Sequence, residues 1–170
     1  RPVKEFFPFV TERGDTLNAY MVKPRDFDPA KRYPVLLTQY SGPGSQQVLD
    51  RWSLDWEDAL VDAGYIVACT DGRGTGCRGE LFKKKTYGRL GALEVEDQLS
   101  FARYLGRQAY IDPARIGIYG WSYGGFMALG CALKGHGLFR MAIAVAPVTS
   151  WRYYDTIYTC LLYTSDAADD

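Results

Sequence analysis

One pentapeptide, Gly120-Trp121-Ser122-Tyr123-Gly124, carries the clearest chemistry in this 170-residue sequence. A serine hydroxyl can act as a nucleophile when a tight turn between a strand and a helix holds it clear of the backbone. Such a turn leaves no room for a Cβ at its flanking positions, and glycine supplies that space. The pattern therefore predicts a nucleophile elbow at Ser122. The alternative is a Gly-rich turn that contains an incidental serine.

The residues around this pentapeptide predict the strand and the helix that an elbow needs. An apolar run at 115–119 precedes it, and a helical stretch from 123 to about 134 follows it. Three further apolar runs predict strands at 35–40, 65–70 and 141–146, and the last two of these are expected to be buried. Two more segments, at about 53–63 and 90–108, predict helices. Strands that alternate with helices indicate a mostly parallel sheet. The predicted fold class is α/β, as the N-terminal part of an α/β-hydrolase fold with flanking helices.

The opening segment predicts a connector followed by two strands. Apolar residues at 6–10 and a partly alternating pattern at 17–22 flank a turn at Arg13-Gly14-Asp15. A polar loop with three prolines, at 23–34, leads to the next strand.

Composition limits the classes of function. The chain is 47% hydrophobic, and its 20 basic and 20 acidic residues cancel, which is typical of one globular core. It has no basic stripe for nucleic acid and no charge run for a membrane surface. No apolar run approaches the length of a transmembrane helix, and the first residues lack the apolar segment of a signal peptide.

Cofactor and metal sites are not predicted. The 4 cysteines form no CxxC pair and the chain has 1 histidine, a set that does not suit zinc. Cys69 and Cys131 lie within apolar runs and are expected in the core. The Gly-rich segment at 71–76 resembles a dinucleotide loop, but Cys77 occupies its last position and no acidic residue follows at the usual spacing. We interpret this segment as a loop at the sheet edge.

A serine nucleophile needs a base, and the chain's histidine, His136, is badly placed for that role. It lies beyond the far end of the predicted helix after Ser122, whose length of about 18 Å far exceeds a hydrogen-bond reach of about 3 Å. We predict that His136 is a surface-loop residue. With neither a base nor an orienting acid, the chain by itself is expected to be nearly inert.

These residues together resemble a known family. Gly120-Trp121-Ser122-Tyr123-Gly124-Gly125 is similar to the active-site signature of the dipeptidyl peptidase IV branch of the prolyl oligopeptidase (S9) family of serine peptidases. The similarity runs from about Glu5 to Thr159 and includes four other blocks, at 39–43, 71–76, 93–98 and 146–155. Related oligopeptidases and acylaminoacyl peptidases usually lack the Trp and Tyr that flank the serine, so the resemblance is to this branch.

The resemblance implies roles for individual residues. Ser122 would be the nucleophile, and the oxyanion hole would combine the backbone N–H of Tyr123 with the phenol of Tyr40, which is neutral at pH 7. The proline-accepting pocket would be lined by Tyr123 together with Val148, Trp151, Tyr154 and Tyr158. The last three are spaced i, i+3, i+7, as on one helix face. The alternatives are a rim aromatic at Tyr40 and an ordinary amphipathic helix at 151–158.

The resemblance also implies a domain organisation. The family joins a β-propeller to an α/β-hydrolase domain, so residues 1–30 would hold the propeller exit and the first hydrolase strands, and 31–159 part of the catalytic domain. Residues 160–170 resemble the translation of a transposase-end adapter used in sequencing libraries, and we interpret them as a non-native tail. A genuine polar tail is the alternative. The family's catalytic Asp and His would lie beyond Thr159, and its acidic pair for the substrate amine in the propeller.

The implied function is a serine peptidase that releases N-terminal Xaa-Pro dipeptides through an acyl-enzyme on Ser122. Its partners would be peptide substrates, with no nucleic acid, and it would use no cofactor and no metal. The open alternatives are a related oligopeptidase, aminoacyl peptidase or esterase, and a non-catalytic homologue that binds ligands. The resemblance further implies a homodimer at full length and an exported or membrane-anchored protein. The chain in isolation is expected to expose apolar sheet surface.

Overall fold

The computed structural model describes residues 3–51, 53 and 55–159, so the interpretation of residues 160–170 lies outside the described residues. The strands are β1 (Lys4–Val10), β2 (Thr16–Val22), β3 (Tyr33–Thr38), β4 (Ile66–Asp71), β5 (Ile111–Trp121) and β6 (Met141–Val145). They form one sheet in the order β1-β2-β4-β3-β5-β6. β2 pairs antiparallel with β1 and with β4, whereas the pairs β4–β3, β3–β5 and β5–β6 are parallel. The predicted mostly parallel α/β sheet is confirmed.

Four α-helices flank this sheet in the described part of the chain, apart from a short helical segment at 156–159. They are α1 (Asp58–Asp62), α2 (Glu80–Lys83), α3 (Leu93–Gly106) and α4 (Tyr123–Lys134). α4 has the predicted bounds, and α3 lies within the predicted 90–108. α1 is shorter than the predicted 53–63, because a turn in which Asp58 bonds back to Asp55 precedes it. Within the described ranges, no helix combines the length and the apolar character needed to cross a membrane.

The core lies on both faces of the central strands. All residues of β4 are buried, as predicted for a strand covered on both faces. Cys69 and Cys131 are buried, which confirms their predicted place in the core. The larger apolar cluster contains residues of α3, α4 and the sheet, and a smaller one joins Val61 of α1 to β2 and β4.

The prediction that residues 141–146 form a buried strand is wrong. β6 is the last strand of the described sheet and pairs with β5 along one edge only. Its residues are exposed or half-buried, with Met141 48% and Ile143 37% exposed. The apolar run specifies a strand, but burial also needs a neighbour over each face. The predicted exposure of apolar sheet surface is found here.

Two loops at the carboxyl ends of β3 and β4 are tied to each other. The Gly44 N–H donates to the Gly74 carbonyl at 2.9 Å, and the Gly76 N–H donates to the Ser45 carbonyl at 2.8 Å. The second loop is held by a buried ion pair in which Arg73 contacts Asp97 of α3 at 2.7 Å. The Gly-rich segment is therefore a structural loop that supports the loop after β3.

Candidate active site

Ser122 lies in the sharp turn between β5 and α4. Its φ of 56° and ψ of −113° fall in a region that L-residues rarely adopt, at a strain of about 1–3 kcal/mol. Its N–H donates to the Val145 carbonyl at 2.9 Å, and its carbonyl accepts from the Phe126 N–H at 3.0 Å. Its side chain does not cap α4. The turn thus has the backbone conformation predicted for an elbow, with the hydroxyl not used in capping the helix.

The glycines around Ser122 are required by close backbone approaches. A Cβ on Gly120 would overlap the Gly124 carbonyl, and one on Gly124 would lie 2.5 Å from the Gln39 carbonyl oxygen. A Cβ on Gly125 would lie 2.9 Å from the Val145 carbonyl oxygen. The predicted need for space is therefore met, and its causes are close contacts with the start of α4, with the residue after β3 and with the end of β6.

Tyr123 combines an N–H at the start of a helix with an inward-facing ring. It is the first residue of α4, and the first N–H groups of a helix have no intrahelical acceptor. Such an N–H, at the positive end of the helix dipole, suits a developing oxyanion. The side chain is buried, and its phenol donates to Glu94 Oε1 at 2.6 Å. The backbone of Tyr123 therefore remains available to a substrate while its side chain is anchored.

Tyr40 follows β3 and packs beside the elbow. Its half-buried ring lies 6.1 Å from the Tyr123 ring, centroid to centroid. A Cβ on Gly42 would overlap the Tyr40 ring, so glycine permits this position. Burial, with a smaller effect of the Tyr154 phenol, raises the pKa of Tyr40 above its ordinary value. The phenol is therefore a neutral donor at pH 7, as an oxyanion contact requires.

Five rings form an aromatic cluster next to Tyr40, namely Tyr123, Phe126, Trp151, Tyr154 and Tyr158. Trp151 is central, with its ring 5.5 Å from Tyr123, 5.4 Å from Phe126, 5.6 Å from Tyr154 and 6.0 Å from Tyr158. Val148, the remaining predicted pocket residue, is buried in the segment just before the cluster. The structure thus brings together the predicted aromatic residues and adds Phe126, which sequence analysis missed.

The prediction that one helix face presents Trp151, Tyr154 and Tyr158 is wrong. A 3-10 turn covers Trp151–Tyr153, Tyr154 is extended with a ψ of 165°, and only residues 156–159 are α-helical. Asp155 interrupts the helix because its carboxylate accepts the Tyr158 N–H at 2.9 Å, as an N-cap does. The rings still converge, because the turn folds back over α4.

Sequence analysis also missed the buried polar face of α3. Glu94, Asp97 and Gln98 are 1%, 0% and 1% exposed. The spacing 94, 97, 98, 101, 105 marks one face of this helix, on which polar and apolar residues are mixed. Glu94 Oε1 accepts from Tyr123, and no hydrogen-bond partner for Glu94 Oε2 is found in the described part of the chain.

Replacing Glu94 with glutamine is expected to raise the melting temperature of the full-length protein, and increasingly so as pH rises. Burial raises the pKa of Glu94, opposed in part by the Tyr123 hydrogen bond. In the unfolded state this carboxyl loses its proton at a pKa of about 4.3, whereas in the folded state it keeps the proton to a higher pH. The free energy of unfolding of the wild type therefore falls as pH rises from the unfolded-state pKa to the folded-state pKa. Glutamine keeps an acceptor for Tyr123 and does not titrate.

Thermal unfolding of the wild type and the Glu94→Gln variant from acid to neutral pH checks this expectation. Glu94→Leu is the control, since it is also uncharged but leaves the Tyr123 phenol without its acceptor. It is expected to melt below Glu94→Gln at every pH. A difference between wild type and Glu94→Gln that does not change with pH would contradict the prediction.

His136 lies past the end of α4, exposed and with a φ of 46°. Its predicted place in a surface loop is confirmed.

The site therefore contains a serine in an elbow, a donor N–H, a nearby phenol and an aromatic cluster. The base that would activate the serine is not among the described residues.

Comparisons with known proteins agree with this arrangement. A model of the prolyl oligopeptidase family matches residues 52–169. The chain is 45% identical over 157 residues to dipeptidyl-aminopeptidase B of Aspergillus niger, covering 91% of this chain and 17% of the relative. It is likewise 45% identical over 155 residues to a protein named probable dipeptidyl-aminopeptidase B from Ajellomyces dermatitidis, covering 90% of this chain and 17% of the relative.

The fold also matches a solved structure closely. The crystal structure of Porphyromonas gingivalis dipeptidyl peptidase 4 superposes with a TM-score of 0.91 and 53% identity. The match covers 98% of this chain and 24% of that structure's chain. The sequence thus spans 17% of the curated relatives named above and about a quarter of the solved one.

Proposed function

Because the chain belongs to the prolyl oligopeptidase family, we propose that the full-length protein carrying it is a serine peptidase that releases N-terminal Xaa-Pro dipeptides. One observation carries the proposal: the strained Ser122 lies directly before Tyr123, whose ring packs against both Tyr40 and Trp151. This juxtaposition supports Ser122 as the nucleophile, the Tyr123 N–H and the Tyr40 phenol as oxyanion donors, and the aromatic cluster as an apolar pocket. The relatives named dipeptidyl peptidases support the same activity.

The reaction follows from these groups. Ser122 Oγ attacks the carbonyl carbon of the second residue and loses its proton to a base in the remainder of the protein. The Tyr123 N–H and the Tyr40 phenol donate to the oxygen of the tetrahedral intermediate. The base returns the proton to the leaving amine, which departs. Water then attacks the acyl-enzyme by the same steps and releases the dipeptide with Ser122 restored.

The aromatic cluster favours proline at the second position. Trp151 and Tyr158 are stacked with an interplanar angle of 13°, and Tyr154 meets Tyr158 edge to face. Flat, apolar walls suit a rigid pyrrolidine ring, which loses little conformational entropy on binding. A charged side chain would lose its hydration there without a charged partner. Small apolar residues such as alanine would fit with less contact area.

A paired-substrate assay of the full-length protein tests the activity. We compare Xaa-Pro-p-nitroanilide that has a free amine with its N-acetyl form. A dipeptidyl peptidase needs the amine, so acetylation is expected to lower kcat/KM about 10- to 100-fold through loss of a charge-assisted hydrogen bond. Equal cleavage of both would favour an oligopeptidase, and cleavage of p-nitrophenyl esters alone would favour an esterase.

A binding homologue is the remaining alternative, and a fluorophosphonate probe separates it from an enzyme. An activated serine reacts with the probe and an unactivated one does not. Absence of labelling in the full-length protein would favour a binding role. Dimerisation and export stay predictions from the family resemblance, and light scattering and cell fractionation of the full-length protein test them.

A further inference from the structure

We propose that Gln39 and Ser41 are positioning residues that hold the oxyanion donor Tyr40 in register with the elbow. The proposal rests on the proposed function, since it concerns the geometry of that oxyanion hole. Both residues flank Tyr40 directly in sequence, and both are buried, at 4% and 2% exposure. Neither residue takes part in the ring contacts of the aromatic cluster. Their side chains are polar, and they bond to the elbow, to α3 and to each other.

Gln39 connects the end of β3 to the elbow. Its Nε2 donates to the Gly124 carbonyl at 2.8 Å and contacts the Tyr119 carbonyl at 3.4 Å. Its backbone is also in contact with the elbow, because a Cβ on Gly124 would lie 2.5 Å from the Gln39 carbonyl oxygen. Gly124 follows Tyr123, whose N–H is the other oxyanion donor. One side chain therefore spans from the residue before Tyr40 to the residue after Tyr123.

Ser41, on the other side of Tyr40, bonds to Gln39. Its Oγ donates to Gln39 Oε1 at 2.9 Å, so the side chains on either side of Tyr40 bond to each other. Gln98 Nε2 of α3 lies 3.2 Å from Ser41 Oγ and 3.2 Å from the Thr70 carbonyl. Ser41 has a φ of 62°, which a non-glycine residue adopts only when its surroundings impose it. The network supplies that constraint directly after Tyr40.

This arrangement links the two donors of the oxyanion hole through buried hydrogen bonds. Burial keeps solvent from replacing a lost partner, so removing one member leaves another polar group unsatisfied. The phenol oxygen lies at the end of a long side chain, so a small backbone rotation at Tyr40 displaces it considerably. A misplacement of about 1 Å in a catalytic group can lower the rate on the order of 100-fold. The effect should fall on kcat, because the pocket residues belong to other segments.

The test is a set of double-mutant cycles in the full-length protein, assayed on Xaa-Pro-p-nitroanilide. Gln39→Met keeps the length of the side chain without its hydrogen bonds, and Ser41→Ala keeps the Cβ and the backbone strain. Each is expected to lower kcat about 10- to 100-fold with KM changed less than about 3-fold. In a Tyr40→Phe background the same substitutions should have almost no further effect, because the donor they position is already gone.

Thr11→Val is the matched control. Thr11 is buried, and its hydroxyl accepts the Asp15 N–H at 3.1 Å in the turn between β1 and β2, outside the Gln39–Ser41 network. It should change the melting temperature about as much as Ser41→Ala while leaving kcat near that of the wild type.

Three results would overturn the proposal. They are a normal kcat in both variants, equal losses with and without the Tyr40 hydroxyl, and a Thr11→Val loss as large as the others. If Gln39→Met fails to fold, Ser41→Ala carries the test alone. A normal kcat in Tyr40→Phe itself would instead show that Tyr40 is not an oxyanion donor, which is a failure of the proposed function and is distinct from the outcomes above.

Discussion

Replacing Ser122 with alanine in the full-length protein is expected to lower kcat for Xaa-Pro substrates on the order of 10⁶-fold. In the proposed mechanism the hydroxyl oxygen is the atom that becomes acylated, so no neighbouring group can substitute for it. The variant should also lose all labelling by a fluorophosphonate probe. Binding of a substrate-like dipeptide should persist, because the aromatic cluster is unchanged. Single-turnover kinetics and mass spectrometry of the probe adduct measure both effects.

Two control variants separate chemistry from structure at this position. Ser100→Ala removes a buried hydroxyl of α3 that accepts the Glu12 N–H, and it should retain activity and labelling. Ser122→Gly should be as inactive as Ser122→Ala but should melt at a higher temperature, because glycine relieves the strain of a φ of 56°. An alanine variant that retained normal turnover would refute Ser122 as the nucleophile.

Replacing Tyr40 with phenylalanine is expected to lower kcat about 10²- to 10³-fold, with little change in KM. The substitution removes the O–H group that we propose donates to the intermediate, and it leaves the ring that packs near Tyr123. Since burial raises the pKa of Tyr40, the wild-type phenol stays protonated through neutral pH. The ratio of wild-type to variant kcat should therefore be constant from about pH 6 to about pH 9.

Tyr33→Phe is the matched control for this measurement. The Tyr33 phenol accepts the Asp28 N–H at 2.8 Å, near the opposite end of β3 from Tyr40. Its removal should leave kcat unchanged. If Tyr40→Phe also leaves kcat unchanged, Tyr40 is a rim aromatic, and the oxyanion hole must draw its second donor from elsewhere.

Local patterns in the sequence were sufficient to predict the elbow and most of the strands. The glycines at 120 and 124 mark positions near Ser122 where a Cβ would not fit. The helix that follows has the predicted bounds. Continuous apolar runs identify β3, β4 and β5 because burial on both faces leaves no alternation. These signals are local in the chain, so they can be read without knowing what packs against them.

Tertiary structure decided the features that depend on partners distant in sequence. The apolar run of β6 lies exposed because nothing described covers its outer face, and Asp155 interrupts a helix that spacing alone would continue. Glu94 reaches Tyr123 across 29 residues, and Gln39 reaches Gly124 across 85. A buried polar side chain is stable only where a specific partner meets it, and local periodicity carries no information about that partner. The sequence by itself thus determined where the elbow and its sheet would be, whereas packing between distant segments determined which groups surround Tyr40 and Tyr123.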